Sequence, residues 1–314
     1  MNRQKLILGT RGSALALAQA ELTIAELRRV YPALEIEVVK FTTSGDKKLD
    51  LSLIKKTPSG AKGLFTKELE EALLRREIDL AVHSAKDMPG EMFDGLVLAA
   101  VLERANTGDV LLTKTAPGLD ALPHGAHVAT SSIRRARQLR FRRPDLVIEE
   151  IRGNVATRLR KLNESPILEG TVLAQAGLER LGFRLDGGKL ECEHGVFHAE
   201  IVEMLPAIGQ GAIALQTRVE DAAFLAAINH KPTWMAVRAE RELMRLLNGD
   251  CNLPVGVKTE RVGSEAGLEK MRMRVILFES GTEEPPRHAD VVGNVGAPEA
   301  LAVAAFEQLG GTAG

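Results

Sequence analysis

Three polar residues near residue 80 follow a short apolar run and are candidates for chemistry. Residues 80–82 are typical of a buried strand, and Ser84, Lys86 and Asp87 come soon after it. Because ligands of open α/β sheets bind beyond the carboxyl ends of the strands, we expect these side chains in a cleft. Pro89 ends the segment, since proline has no backbone N–H to pair in a sheet. A solvated ion pair between Lys86 and Asp87 is the alternative interpretation.

A polar turn at residues 9–13 joins a predicted first strand to a helix predicted at about 14–29. Ser13 is a suitable N-cap, and the amino end of a helix attracts anions through its dipole. Arg11 adds a full positive charge to this turn. The turn is therefore a candidate anion site, although an ordinary loop with a solvated arginine is the alternative.

Two further strand–turn–helix units concentrate hydroxyl and cationic side chains. These residues are Thr130, Ser131, Ser132, Arg134, Arg135, Arg152 and Arg158. Cations are disfavoured in the first turn of a helix unless an anion lies there to meet them. Guanidinium groups bind carboxylates and phosphates through two hydrogen bonds at once, so a polycarboxylate or phosphate ligand is expected. A solvated basic face or an RNA-binding patch remains the alternative.

The two cysteines lie far apart in the chain and are expected to be free thiols. Cys251 is in a turn flanked by glycines, which would present a thiol, although a lone cysteine is more often a small core residue. Cys192 lies near His194 and His198, but no second cysteine or clear fourth ligand is nearby. We therefore expect no metal site there, and predict a surface loop at 185–196.

Composition limits the classes of protein that the chain can represent. With 314 residues, of which 45% are hydrophobic and 26% charged, two or three globular domains are expected. A net charge of −1 and only 4% aromatic residues argue against nucleic-acid binding. The chain has no apolar stretch of membrane-spanning length, and its first residues lack the apolar core of a secretory signal. We therefore expect a cytoplasmic protein without membrane partners.

Alternating strand and helix patterns predict an α/β fold for the first two thirds of the chain. A late apolar strand at 207–215, marked by two glycines, is predicted to return to the first sheet, which makes the first domain discontinuous. The predicted domains are 1–104 with 200–219, then 105–199, and a small α+β domain at 220–314. The polar stretch at 44–63 is predicted to be a mobile lid.

Seven motifs in a fixed order resemble the porphobilinogen deaminase family over essentially the full length of the chain. They occupy residues 9–16 (continuing to Gln19), 62–70, 83–89, 130–135, 152–158, 209–211 and 249–251. The resemblance implies two periplasmic-binding-protein-like α/β domains and a small α+β C-terminal domain. It further implies a monomeric transferase of haem and other tetrapyrrole synthesis. Such an enzyme joins four porphobilinogen molecules head to tail, with loss of ammonia, and releases linear hydroxymethylbilane by hydrolysis.

The resemblance also implies a role for each candidate residue. Asp87 and Lys86 would be catalytic, and a dipyrromethane cofactor would be attached to Cys251 through a thioether. The implied cofactor-binding residues are Cys251, Ser84, Lys86, Asp87, Thr130, Ser131, Ser132, Arg134, Arg135, Arg152 and Gly153. The implied substrate-binding residues are Arg11, Ser13, Gln19, Arg152, Arg158, Arg180 and Gln210. No metal is implied.

Two other functions compete with this interpretation. A two-lobed binding protein of the periplasmic-receptor kind would share the α/β layout and clasp anions, so fold alone does not separate the two. Such a protein would have no use for Cys251. An RNA-binding protein would use the arginine-rich helix, and strongly salt-dependent RNA binding would favour it.

Overall fold

The computed structural model describes residues 4–43, 66–248, 253–279 and 284–312. The predicted lid at 44–63 and the turn that carries Cys251 lie outside the described residues. No described helix combines the length and the apolar character needed to cross a membrane.

Strands and helices alternate through most of the chain. The strands are β1 (Lys5–Arg11), β2 (Glu35–Phe41), β3 (Leu80–Ser84), β4 (Leu96–Val101), β5 (Asp109–Thr113), β6 (His127–Ala129), β7 (Val147–Glu149), β8 (Leu168–Ala174), β9 (Lys189–Cys192), β10 (Gly195–Val202), β11 (Ile213–Arg218), β12 (Val255–Glu265), β13 (Leu268–Leu277) and β14 (Arg287–Asn294). The helices are α1 (Ala14–Val30), α2 (Lys67–Leu74), α3 (Ile133–Arg142), α4 (Val155–Glu164), α5 (Gln175–Arg180), α6 (Lys231–Leu246) and α7 (Pro298–Gln308). Short 3₁₀ segments at Ala85–Asp87 and Val219–Ile228 complete the described elements.

The first sheet has five strands in the order β2-β1-β3-β11-β4. Strand β1 is parallel to β2 and β3, whereas β11 lies antiparallel between β3 and β4. The predicted return of this late strand to the first sheet is confirmed. Its central strands are apolar because both faces are covered, as expected for a buried sheet.

The second sheet has six strands in the order β7-β6-β8-β5-β10-β9. The predicted surface loop at 185–196 is wrong in part, because β9 and β10 pair there as an antiparallel hairpin. Leu190 and Phe197 explain the difference, since both are almost fully buried in the core of this sheet. The glycines in the segment mark the turns around these strands instead of a continuous loop.

Two predicted domain boundaries do not coincide with the observed packing. Strand β10 continues to Val202 within the second sheet, so the chain crosses back only after that residue and not at 199/200. Leu225 and Ile228 pack in the core of the first sheet, so that core extends beyond the predicted limit at 219. Both differences arise because apolar side chains near the boundaries pack on the preceding sheet.

The third sheet is an antiparallel meander of β12, β13 and β14, covered by α6 and α7. This is the small α+β unit that the sequence predicted. Strand β12 was not predicted, because it is buried only at its start and exposed from Arg261 onward. Its charged outer half lacks the apolar pattern by which a strand is recognised.

Candidate active site

The end of β3 places the first group of predicted site residues. Residues 80–83 are buried between β1 and β11, which leaves Ser84, Lys86 and Asp87 beyond the carboxyl end of the strand. The 3₁₀ turn is held from below by the buried side chains of Ala85 and Met88. The turn therefore directs its polar residues away from the core, as predicted.

Asp87 lies opposite the arginine of the first turn. Its Oδ2 atom is 4.0 Å from Nη1 of Arg11, and the two side chains are 35% and 21% exposed. The distance is long for an ion pair, and the partial exposure leaves room for a ligand between or beside the two groups. Arg11 stands at the end of β1, next to the amino end of α1.

A cavity of about 50 Å³ lies beside this pair. Arg11, Ser13, Gln19, Ser84 and Asp87 all contribute to its lining. Ser13 caps α1 by accepting a hydrogen bond from the backbone N–H of Ala16, and Gln19 Nε2 donates to Ser84 Oγ at 2.8 Å. The structure thus brings together the predicted site residues of the first domain.

Lys86 lies where the first and second domains meet. Burial, and then the positive charge of Arg135, lower the pKa of Lys86 from 10.5 to about 8, although Asp87 and Asp109 oppose this. A lysine with a pKa near neutrality can gain or lose its proton during a reaction. Ionisable groups with shifted pKa values are concentrated at functional sites.

The hydroxyl groups of the second domain have local structural partners. Ser132 caps α3 by accepting a hydrogen bond from the N–H of Arg135, and Ser131 Oγ donates to the carbonyl of Ile151 at 2.6 Å. Thr130 is buried and accepts a hydrogen bond from the N–H of Ser132. These contacts fix the backbone conformation of the turn before α3, so that conformation does not depend on a bound ligand.

Arg134 and Arg135 converge on one carboxylate that the sequence did not reveal. Asp109 lies 2.8 Å from Nη2 of Arg134 and 2.7 Å from Nη2 of Arg135, and its side chain is fully buried. Arg135 also donates through Nη1 to the carbonyl of Val172. Burial raises the pKa of Asp109, but the two arginines lower it more, so the group stays ionised well below the usual range.

The second strand–turn–helix unit presents Arg158 and Arg152. Arg158 Nε donates to the carbonyl of Gly153 at 2.8 Å, and burial followed by the charge of Arg135 lowers the pKa of Arg158 to about 10. Asp87 acts in the opposite direction on this pKa, which indicates that Arg158 also faces the first domain. Arg152 is paired with Glu150 at 2.5 Å at the edge of the same group.

Gln210 and Arg180 contact the two segments that cross between the domains. Gln210 Nε2 donates to the carbonyl of Thr107 at 2.7 Å, and Arg180 Nη2 donates to the carbonyl of Gly211 at 2.7 Å. A side chain at Gly211 would approach the carbonyl of Ala105 to 2.6 Å, and its φ is +85°. Gln210 and Arg180 were predicted to bind substrate, and the hydrogen bonds that they make within the protein support the crossing segments.

Other buried polar residues near the site were not predicted. Arg104 pairs with fully buried Glu240 at 2.7 Å and so connects the crossing segment to α6. His83 Nε2 lies 3.0 Å from Oε1 of Gln216, and burial lowers the pKa of this histidine to about 4. In the sequence, the one available signal of such a buried ion pair is an acidic residue at the start of an apolar strand, as at Asp109.

The described part of the site suits a polyanion. Lys86, Arg11, Arg135 and Arg158 outnumber the carboxylates of Asp87 and Asp109, and Arg134 adds a further buried cation. The Nε atom of Arg134 is buried without a hydrogen-bond partner among the described residues. A carboxylate-bearing oligopyrrole matches this donor set. In the described residues no group of His, Cys, Asp and Glu side chains could hold a metal ion.

Sequence comparisons agree with this chemistry. Residues 6–226 match the family model described as the porphobilinogen deaminase, dipyromethane cofactor binding domain, and residues 234–309 match its C-terminal domain. A porphobilinogen deaminase from Desulforudis audaxviator is 43% identical, with 98% of this chain and 97% of that protein covered. One from Chloroherpeton thalassium is 45% identical, with 81% of this chain and 78% of that protein covered.

Among solved structures, the VFT2 domain of Bordetella pertussis BvgS is 17% identical with a TM-score of 0.40, covering 73% of this chain and 86% of that one. The methionine-binding protein MetQ is 13% identical with a TM-score of 0.39, covering 76% and 95%. These scores are low, so the fold rests on the two α/β sheets and the C-terminal meander themselves. The family models, the relatives and the geometry agree, and the chain belongs to the porphobilinogen deaminase family.

Proposed function

We propose that this chain is a hydroxymethylbilane synthase that joins four porphobilinogen molecules head to tail with loss of ammonia. The chain would grow on a dipyrromethane primer and be released by hydrolysis. The observation that carries the proposal is the position of Asp87, part-exposed at the end of β3 and 4.0 Å from Arg11. Lys86, next to Asp87 in the same turn, is close enough to Arg135 and Asp109 of the second domain for their charges to change its pKa.

Asp87 is the proposed catalytic residue. Loss of ammonia from porphobilinogen leaves an electron-poor azafulvene, and a nearby carboxylate stabilises positive charge as it develops. The same carboxylate is suited to accept the proton that leaves the attacking pyrrole carbon after the new C–C bond forms. Its partial exposure supports this role, because the group is accessible to each incoming substrate.

The cations divide into two groups by what they already contact. Arg11 lies at the end of β1, Arg152 in the turn before α4 and Arg158 in the first turns of α4, and all three are proposed to bind acetate and propionate groups. Arg134, Arg135 and Arg180 donate to Asp109, Val172, Leu205 or Gly211 within the protein. We propose that these internal contacts orient Arg134 and Arg135 toward the cofactor and Arg180 toward the substrate, with Arg135 also close enough to Lys86 to influence its charge.

Cys251 is proposed to carry the primer through a thioether. When bound, dipyrromethane supplies a free pyrrole α-carbon to which the first substrate is added. Lys86, Ser84, Thr130, Ser131, Ser132, Arg134, Arg135, Arg152 and Gly153 are the proposed residues around it. The cationic surplus of the described residues supports the assignment, because a tetracarboxylate needs several guanidinium or ammonium partners.

We also propose that the enzyme is a cytoplasmic monomer with a small-molecule substrate and no nucleic-acid or membrane partner. A thiol that must be free to form a thioether is suited to a reducing compartment. Cys192, the free thiol in the described part of the chain, fits the same environment.

Intact mass of the purified protein tests the primer. We expect extra covalent mass equal to a dipyrromethane, located on the peptide that contains Cys251 and absent from Cys251→Ala. Cys192→Ala is the matched control and should keep the added mass. A wild-type protein that consumes porphobilinogen while carrying no added mass would contradict the proposal.

A further inference from the structure

The carboxylate of Asp109 occupies a special place in the chain. It is the first residue of β5, directly after the segment that leaves the first domain. Its side chain is charged but fully buried, in a strand whose other residues are mostly apolar. A buried carboxylate is costly unless it is paired and hydrogen-bonded, so its partners explain why it is tolerated there.

Three side chains from two elements meet on this carboxylate. Arg135 donates to Oδ1 through both Nε at 3.1 Å and Nη2 at 2.7 Å. Arg134 lies against Oδ2 at 2.8 Å, and Gln210 Nε2 donates to Oδ1 at 3.0 Å. Arg134 and Arg135 belong to α3, whereas Gln210 belongs to the segment that returns to the first domain. Asp109 therefore joins the arginine helix to the crossing segment.

The contacts leave little freedom to the Arg135 guanidinium. Two of its nitrogens hold Asp109, and the third donates to the carbonyl of Val172 at 2.8 Å. Each Nη atom carries a second N–H, so the group can still meet a ligand carboxylate, but only in the orientation that the protein imposes. A guanidinium held in advance binds a carboxylate without a further loss of side-chain entropy.

We propose that Asp109 is a positioning residue that holds Arg135, together with Arg134, in the orientation that receives the carboxylates of the oligopyrrole. The inference rests on the proposed function and assigns a role to a residue outside the family motifs noted above. Asp109 also contributes negative charge to a cluster of four cations, Lys86, Arg134, Arg135 and Arg158. Removal of that charge should change both ligand binding and the ionisation of Lys86.

Asp109→Asn in the full-length protein tests the proposal. The substitution keeps the size of the side chain and removes its charge. A misplaced binding group costs on the order of 10²-fold in rate, so we expect kcat/KM for porphobilinogen to fall by about 10–100-fold, mainly through KM. We also expect the alkaline limb of the kcat profile to move to lower pH, because Asp109 supports the protonated form of Lys86.

Asp79→Asn is the matched control. Asp79 pairs with Arg218 at 3.1 Å before the amino end of β3, at the opposite end of the strand from Asp87. This variant should lose stability but keep the wild-type KM and pH profile. If Asp109→Asn likewise loses stability alone, Asp109 is only structural and the proposal is overturned.

A second variant keeps the test decisive if Asp109→Asn does not fold. The double variant Asp109→Asn with Arg134→Met restores the charge balance and still leaves Arg135 without its carboxylate. Compared with Arg134→Met alone, the double variant should fold and show a further rise in KM, whereas a KM equal to that of Arg134→Met would overturn the proposal. The proposed function fails separately, if the wild-type protein consumes no porphobilinogen.

Discussion

The charged side chains beyond the ends of β3 and β6 differ in how exposed they are and in how closely they are paired. At the end of β3, Arg11 and Asp87 are 4.0 Å apart and part-exposed. Beyond β6, Arg134 and Arg135 lie 2.7–2.8 Å from Asp109, and none of these side chains exceeds 7% exposure. Exposed pairs contribute little to stability, whereas breaking a buried pair is costly. The first region therefore keeps its charges available for chemistry, and the second has them committed to internal structure before a ligand binds.

The largest expected effect separates the two regions by activity. Asp87→Asn should reduce turnover by about 10²–10⁴-fold, because the variant loses the charge that stabilises the reaction and accepts a proton. Its free energy of unfolding should change by less than about 1 kcal/mol, since the pair with Arg11 is long and part-exposed. Steady-state kinetics and urea unfolding measure the two quantities. Near-normal porphobilinogen consumption would show that the assignment of Asp87 is wrong.

Substitution in the buried region should have the larger effect on stability. Arg135→Met leaves the Asp109 carboxylate with one arginine, so the free energy of unfolding should fall by about 3–5 kcal/mol. Urea unfolding measures the loss, with Asp87→Asn as the exposed counterpart. If both substitutions changed stability equally, the distinction between the two strand ends would not hold.

Lys86 connects the two regions and should respond to pH with opposite signs. Its folded pKa is about 8, against an ordinary value of 10.5. If its ammonium serves the reaction, turnover falls as pH rises through about 8. Between about 8 and 10.5 the unfolded chain holds more protons at this site, so stability rises with pH in that window.

Lys86→Met provides the control for the stability part of this prediction. The difference in unfolding free energy between wild type and variant should change as pH rises from 7 to 10.5. Equal pH dependence in the two proteins would show that Lys86 does not titrate in this window.

The last effect, which concerns stability alone, involves His83 beneath the end of β3. Burial lowers its pKa to about 4 from the ordinary 6.5. Between these two pH values the unfolded chain therefore binds a proton at this site and the folded chain does not. Stability should fall as pH decreases from 6.5 to 4, by at most about 1.4 kcal/mol per pH unit. His83→Gln should lack this contribution. Thermal unfolding across this range measures it, and identical slopes in both proteins would contradict it.

The sequence was most informative where a local pattern decides the structure. The apolar run before Ser84 predicted β3 and its polar end, and the cap of α1 at Ser13 was predicted from the turn before that helix. The leucines of α2 do not all lie on its buried side, since Leu69 and Leu73 are buried but Leu74 is exposed. Short periodic patterns specify an element better than they specify its exact face.

Long-range partners could not be read from the chain. Asp109 and Arg135 are 26 residues apart in sequence, and their contact requires β5, β8 and α3 to be packed first. The family resemblance placed Arg134 and Arg180 in the site, but did not indicate the acceptors that they meet. Tertiary packing decides which carbonyl and carboxylate groups lie within reach of a guanidinium group. The residue type alone therefore does not tell which acceptor an arginine binds.

The two crossing segments are also hydrogen-bonded to each other, since Ala105 N–H donates to the carbonyl of Gly211. Arg180 adds a bond to that same carbonyl, and Gln210 reaches Thr107 on the other segment. A single connecting segment allows two domains to rotate about its backbone bonds. Two connecting segments that are hydrogen-bonded to each other restrict this rotation, so the domains move relative to each other chiefly by bending. We therefore expect the two sheet domains to bend relative to each other more easily than they twist, so that the ends of β3 and β6 can separate while the hydrogen bonds of Arg180 and Gln210 are kept.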